Sequence, residues 1–163
     1  MKLEKILVPL DGSALAEAAI AKAIDVAGDG TRLMLMRAAE AHTLPGVDPT
    51  EAQVEVVREA EEYLAGVAAR LEECGIRNVE TSVWYGPAAS AVVEAATLRK
   101  ADLIVMSTHG RSGVGRLILG SVAESILRAT SAPILLLRAP GARLDSLGGP
   151  GRARPTKEPA HVG

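Results

Sequence analysis

Four short stretches of the chain are dominated by apolar residues, a fifth alternates in part, and longer stretches with helical spacing separate them. Ile6-Leu7-Val8 centres the first, which spans Leu3 to Leu10. Arg32-Leu33-Met34-Leu35-Met36-Arg37 is the second, and Arg77 to Tyr85, rich in Val, Thr and aromatics, the third. Ala101-Asp102-Leu103-Ile104-Val105-Met106 and Pro133 to Leu137 are the fourth and fifth. Runs this short with little alternation predict strands buried on both faces, as in a parallel sheet.

The intervening segments predict helices. An Ala-rich one runs from Ala14 to Ala27 and closes at Gly28-Asp29-Gly30. Thr50 and Gln53 match a capping box that opens a helix towards Cys74, with Gly75 as its stop. Gly86-Pro87 starts a third, since proline's missing N–H does no harm in a first helical turn. It runs to about Arg99 with Ala88, Val92, Ala95, Ala96 and Leu98 on one face. The fourth is Val122 to Arg128. Cys74, beside Gly75, reads as a packing residue.

Strict β/α alternation predicts an α/β domain: an open five-stranded parallel sheet with helices on both faces and right-handed crossovers. In such sheets ligands lie beyond the carboxyl ends of the strands where the order reverses. Two loops with chemistry-capable residues follow strands one and four, from Pro9 to Ser13 and from Ser107 to Ser121. If those strands are neighbours, as in the expected strand order 3-2-1-4-5, the loops share one crevice.

The second loop is the more informative. Gly110, Gly113, Gly115 and Gly120 lie in it with Arg111 and Arg116, between a strand and a helix N-terminus. Free N–H groups and the helix dipole favour an anion there, and glycines let the backbone come close. Ser121 and Glu124 also fit a capping box, which would explain those two residues without a ligand. Neither G-x-x-x-x-G-K-[ST] nor G-x-G-x-x-G occurs, so neither the P-loop nor dinucleotide oxidoreduction has support.

Composition narrows the classes further. The chain of 163 residues carries a net charge of -2, with one Trp, two Tyr and no Phe. That gives no general attraction to nucleic acid and few rings for stacking bases. No apolar run approaches the roughly 20 residues of a membrane span. The start enters a strand with no signal-peptide pattern, and the single cysteine suits a reducing compartment, so a cytoplasmic location is expected. His42, His109 and His161 show no metal-ligand spacing. From Ala139 to Gly163, Gly and Pro break any element, so a domain over 1–138 with a flexible tail over 139–163 is expected. The apolar fifth strand, at a sheet edge, predicts a homodimer through 133–137.

Gly110, nine residues, then Gly120-Ser121 resembles most of the G-x2-G-x9-G-[ST] signature of the universal stress protein family, with Ser107 at the first glycine. Lys5 to Ser13 and Ala132 to Leu137 resemble its opening and closing strands. The resemblance implies a dimeric regulator of the stress response that binds ATP or another adenine nucleotide, with Mg²⁺ or Mn²⁺. Asp11 would meet the ribose or the ion, the backbone near Ala38 the adenine edge, and Gly110, Gly120, Ser121 and the Val122 N–H the phosphates. Pro9, Gly12, Ser13, Ser107 and Arg111 complete the candidate set. No dedicated base is evident, so enzyme activity would be at most slow ATP hydrolysis; a module that binds no nucleotide is the other alternative.

Overall fold

In a computed structural model, which describes residues 2–42, 45–46, 48–108 and 120–138, the elements alternate without exception. They are β1 (Lys5–Pro9), α1 (Ala14–Val26), β2 (Arg32–Ala39), α2 (Pro49–Glu73), β3 (Val79–Tyr85), α3 (Ala88–Arg99), β4 (Leu103–Thr108), α4 (Ser121–Ala129) and β5 (Ile134–Arg138). The strands form one parallel sheet, as the alternation predicts, in the expected order β3-β2-β1-β4-β5.

Period-two alternation divides the apolar strand residues between two cores. Ile6, Val8, Leu33, Leu35 and Val105 face α1 and α2, meeting Ala16, Ala19, Ile20, Leu64 and Val67. Leu7, Met34, Met36, Ile104 and Met106 face α3 and α4, meeting Ala91, Val92, Ala95, Ala123 and Ile126. This is why the runs lack polar alternation: both faces of the sheet are covered.

The helix starts depart from the sequence reading. Asp48, not Thr50, caps α2: its Oδ1 accepts from the N–H groups of Thr50 (2.7 Å) and Glu51 (3.4 Å), with Pro49 in the first turn. A carboxylate one residue before a proline at N1 is well placed to cap, and the Thr50/Gln53 box is displaced. Pro87 is the N-cap of α3 rather than its first helical residue. Its buried face is Ala91, Val92, Ala95 and Ala96, whereas Ala88 is exposed and Leu98 lies on the solvent side. Leu98 follows Ala95 by three residues, but α3 is near its end there and Lys100 turns the chain away through a left-handed conformation. Cys74 is an exposed free thiol at the C-cap of α2, beyond the last packed turn, and not a packing residue.

The boundary between β1 and β4 governs the upper edge of the sheet. β1 pairs with β2 as far as Pro9↔Met36, and β4 with β5 as far as Thr108↔Arg138. Between β1 and β4 the register holds only Ile6↔Leu103 and Leu7↔Ile104. Along a strand, peptide groups alternate sides. The Lys5 carbonyl accepts from Asp102 on the β4 side, and the Leu10 N–H donates to Met36 on the β2 side. Residues 7 and 9 therefore face β4. The rung after Leu7 needs an N–H on residue 9, and proline has none. The ladder stops, and β1 and β4 part at the point where the strand order reverses.

α4 reaches this edge and is held by few residues, chiefly Ala123 and fully buried Ile126. Ile126→Ala is expected to cost about 2–5 kcal/mol. Leu127→Ala, on the half-exposed side, should change stability by less than about 0.5 kcal/mol. Urea unfolding midpoints of the two variants check the contrast.

Candidate functional site

β1 and β4 are neighbours, so the segments that follow them emerge side by side from the carboxyl edge of the sheet. The first is a tight turn. Asp11 Oδ1 accepts from the N–H of Ser13 at 2.9 Å and from its hydroxyl at 2.6 Å. The Ser13 Oγ in turn accepts from Ala16 N–H at 3.1 Å and caps α1. Gly12 makes the turn possible: its φ of 87° is one that L-side chains rarely adopt. Asp11 thus serves as a turn and cap-supporting residue while staying exposed at the edge.

Beyond β4 the described residues continue at Gly120. Gly110 and Arg111, expected at the phosphates, and the tail expected over 139–163 lie outside the described residues. Ser107 belongs to β4 itself, opposite Leu137, and not to the loop where the sequence reading began it. Gly120 is the N-cap of α4, and no side chain caps the helix. The Ser121/Glu124 capping box is therefore not made. Ser121 stands one residue too late, inside the first turn, and the Glu124 carboxylate is held by Arg128 at 2.8 Å. Ser121 and Val122 are both exposed. α4 thus presents first-turn N–H groups, a hydroxyl and a glycine at the edge.

Ala38 completes the edge from the β2 side. Met36 accepts from Leu10 and Ala39 accepts from Gly86, so peptide groups at even positions face β1 and those at odd positions face β3. The groups of Ala38 face β1 at a level beyond its last rung, and its side chain packs with the α3/α4 core.

A charged cluster that sequence reasoning missed lies against this turn. Arg37, half-buried at the end of β2, places its guanidinium next to Gly12. A Cβ built on Gly12 would stand 3.7 Å from both Nη atoms and 3.8 Å from Cζ. The same Cζ lies 5.1 Å from the ring centroid of Tyr63 in α2, a cation–π distance. The Tyr63 hydroxyl donates to Glu17 Oε1 at 2.9 Å, and Arg70 donates to Glu17 Oε2 at 2.8 Å. The available signal was a single arginine closing an apolar strand next to Ala38. Tyr63 and Glu17 had none, because they meet only through packing of α2 on α1.

The donor set bears on the divalent ion implied at Asp11. Among the described residues no three His, Cys, Asp or Glu side chains come together. Asp11 Oδ1 already takes two hydrogen bonds from Ser13, and a permanent cation lies against the adjacent Gly12. These residues do not fit a protein-held metal ion.

The family model described as "Universal stress protein family" matches residues 2–138. The chain belongs to the universal stress protein family. A universal stress protein of Methanocaldococcus jannaschii, MJ0531, is 33% identical over 143 residues, covering 84% of this chain and 83% of the relative. A universal stress protein family structure from Burkholderia pseudomallei is 30% identical, with a TM-score of 0.68 over 84% of this chain and 97% of that one. Two more distant family structures carry ligands. One is a universal stress protein in complex with cAMP, 21% identical, TM-score 0.58, covering 84% of this chain and 98% of that one. The other, from Arabidopsis thaliana, has AMP bound and is 12% identical, TM-score 0.56, covering 82% and 90%. At these identities the two show the shared fold.

Tyr63 gives the cluster a measurable handle. Its phenol is pushed up from 10.0 to about 12, first by burial, then by the hydrogen bond and charge of Glu17 and the charge of Asp11, against the opposing Arg37. A raised phenol favours the folded state below the unfolded value, and that contribution is lost as pH rises from about 10 to about 12. Stability is expected to fall in this window, and Tyr63→Phe should flatten that part of the profile in denaturant midpoints measured from pH 8 to 12.

Proposed function

We propose that this universal stress protein is an adenine-nucleotide-binding regulator, taking ATP or a related adenine nucleotide at the carboxyl edge between β1 and β4. The observation that carries the reading is the parting of β1 and β4 after Leu7↔Ile104, with the N-termini of α1 and α4 beside it. Family members that hold cAMP and AMP support the class of ligand.

In this reading the Ala38 peptide groups, directed past the end of β1, offer a donor and an acceptor to the adenine edge. Pro9, Asp11, Gly12 and Ser13 border the ribose, and Ser107 lies below it on β4. The phosphates meet Gly120, Ser121 and the Val122 N–H, together with Gly110 and Arg111 of the preceding loop. Occupancy, rather than turnover, is the signal, and it acts in a cytoplasmic homodimer joined through the edge strand β5. Among the described residues no helix is long and apolar enough to cross a membrane.

Gly120 gives the sharpest test. Its φ of -58° suits any residue, and among the described residues an added Cβ meets nothing within 4 Å. Gly120→Val should therefore keep the fold and remove ATP binding, because the phosphates need that space. Ser121→Ala loses one hydrogen bond to a charged partner, about 1.5–3 kcal/mol, or roughly tenfold to a hundredfold in affinity. Since Ser121 does not cap α4, stability without ligand should be unchanged. Titration calorimetry with melting curves reads both; equal ATP affinity for wild type and Gly120→Val would reject the site.

The dimer is tested separately. β5 is an edge strand with the sequence Ile134-Leu135-Leu136-Leu137-Arg138, and one side of its backbone has no strand beside it among the described residues. Light scattering at micromolar concentration should give twice the chain mass, and Leu136→Pro should give the monomer mass by removing an edge N–H.

A further inference from the structure

Arg37 lies where it can set the chemistry of the Asp11 end of the crevice. Three guanidinium atoms, Nη1, Nη2 and Cζ, are almost equidistant from the Cβ position of Gly12, at 3.7, 3.7 and 3.8 Å. Equal distances mean that the planar group lies face-on to the glycine backbone. Cζ is also 5.1 Å from the Tyr63 ring centroid. The guanidinium thus lies between a peptide turn and an aromatic ring, and its N–H donors spread along the edge of its plane.

The clamp is itself held. Tyr63 is oriented by Glu17, and Glu17 by Arg70, so α1 and α2 both fix the ring against which Arg37 rests. Glycine at position 12 is called for by the left-handed φ of the turn, and a Cβ there would meet the guanidinium at ordinary van der Waals distance. The charge of Asp11 is felt at Tyr63, which puts the carboxylate in the same neighbourhood.

We infer that Arg37 takes the place of a divalent cation at Asp11: its guanidinium supplies the positive charge beside the carboxylate, and a nucleotide binds this end without a protein-held metal. A fixed cation beside a carboxylate whose Oδ1 is already engaged by Ser13 repels a second, divalent one. The edge N–H groups remain suited to an anionic or hydroxyl-bearing ligand. The exclusion of metal stands on the protein alone; the role toward nucleotide rests on the reading proposed above.

Two measurements test it. In the first, nucleotide-free protein is titrated with Mn²⁺ and free ion is followed by electron paramagnetic resonance, for wild type and Asp11→Asn. Wild type should take up no Mn²⁺ below millimolar concentration. A tighter site that Asp11→Asn removes would overturn the inference, whether or not ATP binds. In the second, ATP is titrated in EDTA and in Mg²⁺. Wild-type affinity should agree within about threefold between the two conditions. Arg37→Met should bind at least tenfold more weakly in EDTA, and Arg37→Lys should lie between, because it keeps the charge and loses the planar fork of N–H donors. A tenfold gain from Mg²⁺ in wild type, or unchanged binding by folded Arg37→Met, would overturn the role of Arg37. Absence of ATP binding by wild type in both conditions would reject the nucleotide reading and this role together, and leave the Mn²⁺ result to decide the exclusion of metal.

Discussion

A missing hydrogen-bond donor shapes this protein more than any contact it makes. Proline is ordinarily excluded from a central strand because it cannot fill a rung. Pro9 lies in the central strand β1, and its donorless nitrogen faces β4, where the strand order reverses. On the other side β1 keeps its partner, through Leu10 N–H to Met36 at 2.8 Å. The sheet is therefore continuous below and divided above, with α1 and α4 starting on the two sides of the division. Below the division the strands are tied by another device. The Asp102 carboxylate accepts from the N–H groups of Glu4 and Lys5, both at 2.9 Å, and fixes β4 against the start of β1.

The two helix starts at the division are unlike. α1 is capped by Ser13, whose position is set by Asp11 and by the left-handed turn at Gly12. α4 begins at Gly120 without a side-chain cap, although Ser121 and Glu124 have the spacing of a capping box. A cap requires the serine to stand before the helix with extended backbone; here the helix has already begun at Ser121, and Glu124 turns to Arg128. Among the described residues, no side chain takes up the first-turn N–H groups of α4. This difference is physical ground for placing an anion at α4 rather than at α1.

On the α1/α2 face, Arg37, Tyr63, Glu17 and Arg70 connect the end of β2 with both helices. The Arg70–Glu17 pair is largely solvent-exposed, and exposed pairs contribute little to stability. Its effect is on geometry: it holds Glu17, which orients Tyr63, which receives the guanidinium.

Family membership and the order of elements were legible in the chain because both are written locally. Apolar runs of strand length, glycine stops and the paired Gly120-Ser121 need no knowledge of distant partners. Doubly covered strands must be apolar at every position, and that pattern alone implies helices on both faces. The sequence by itself thus determined the alternation, the parallel sheet and the edge at which to look for a site. Tertiary structure decided what depends on two segments meeting. Where α4 begins relative to Ser121, and whether Leu98 and Cys74 are covered, follow from how each helix end docks, which helical spacing does not encode. The same holds for Arg37. Its charge is visible in the sequence, but its place against Gly12 and Tyr63 arises only when β1, β2 and α2 are brought together, because 25 residues separate the first pair in the chain and 26 the second.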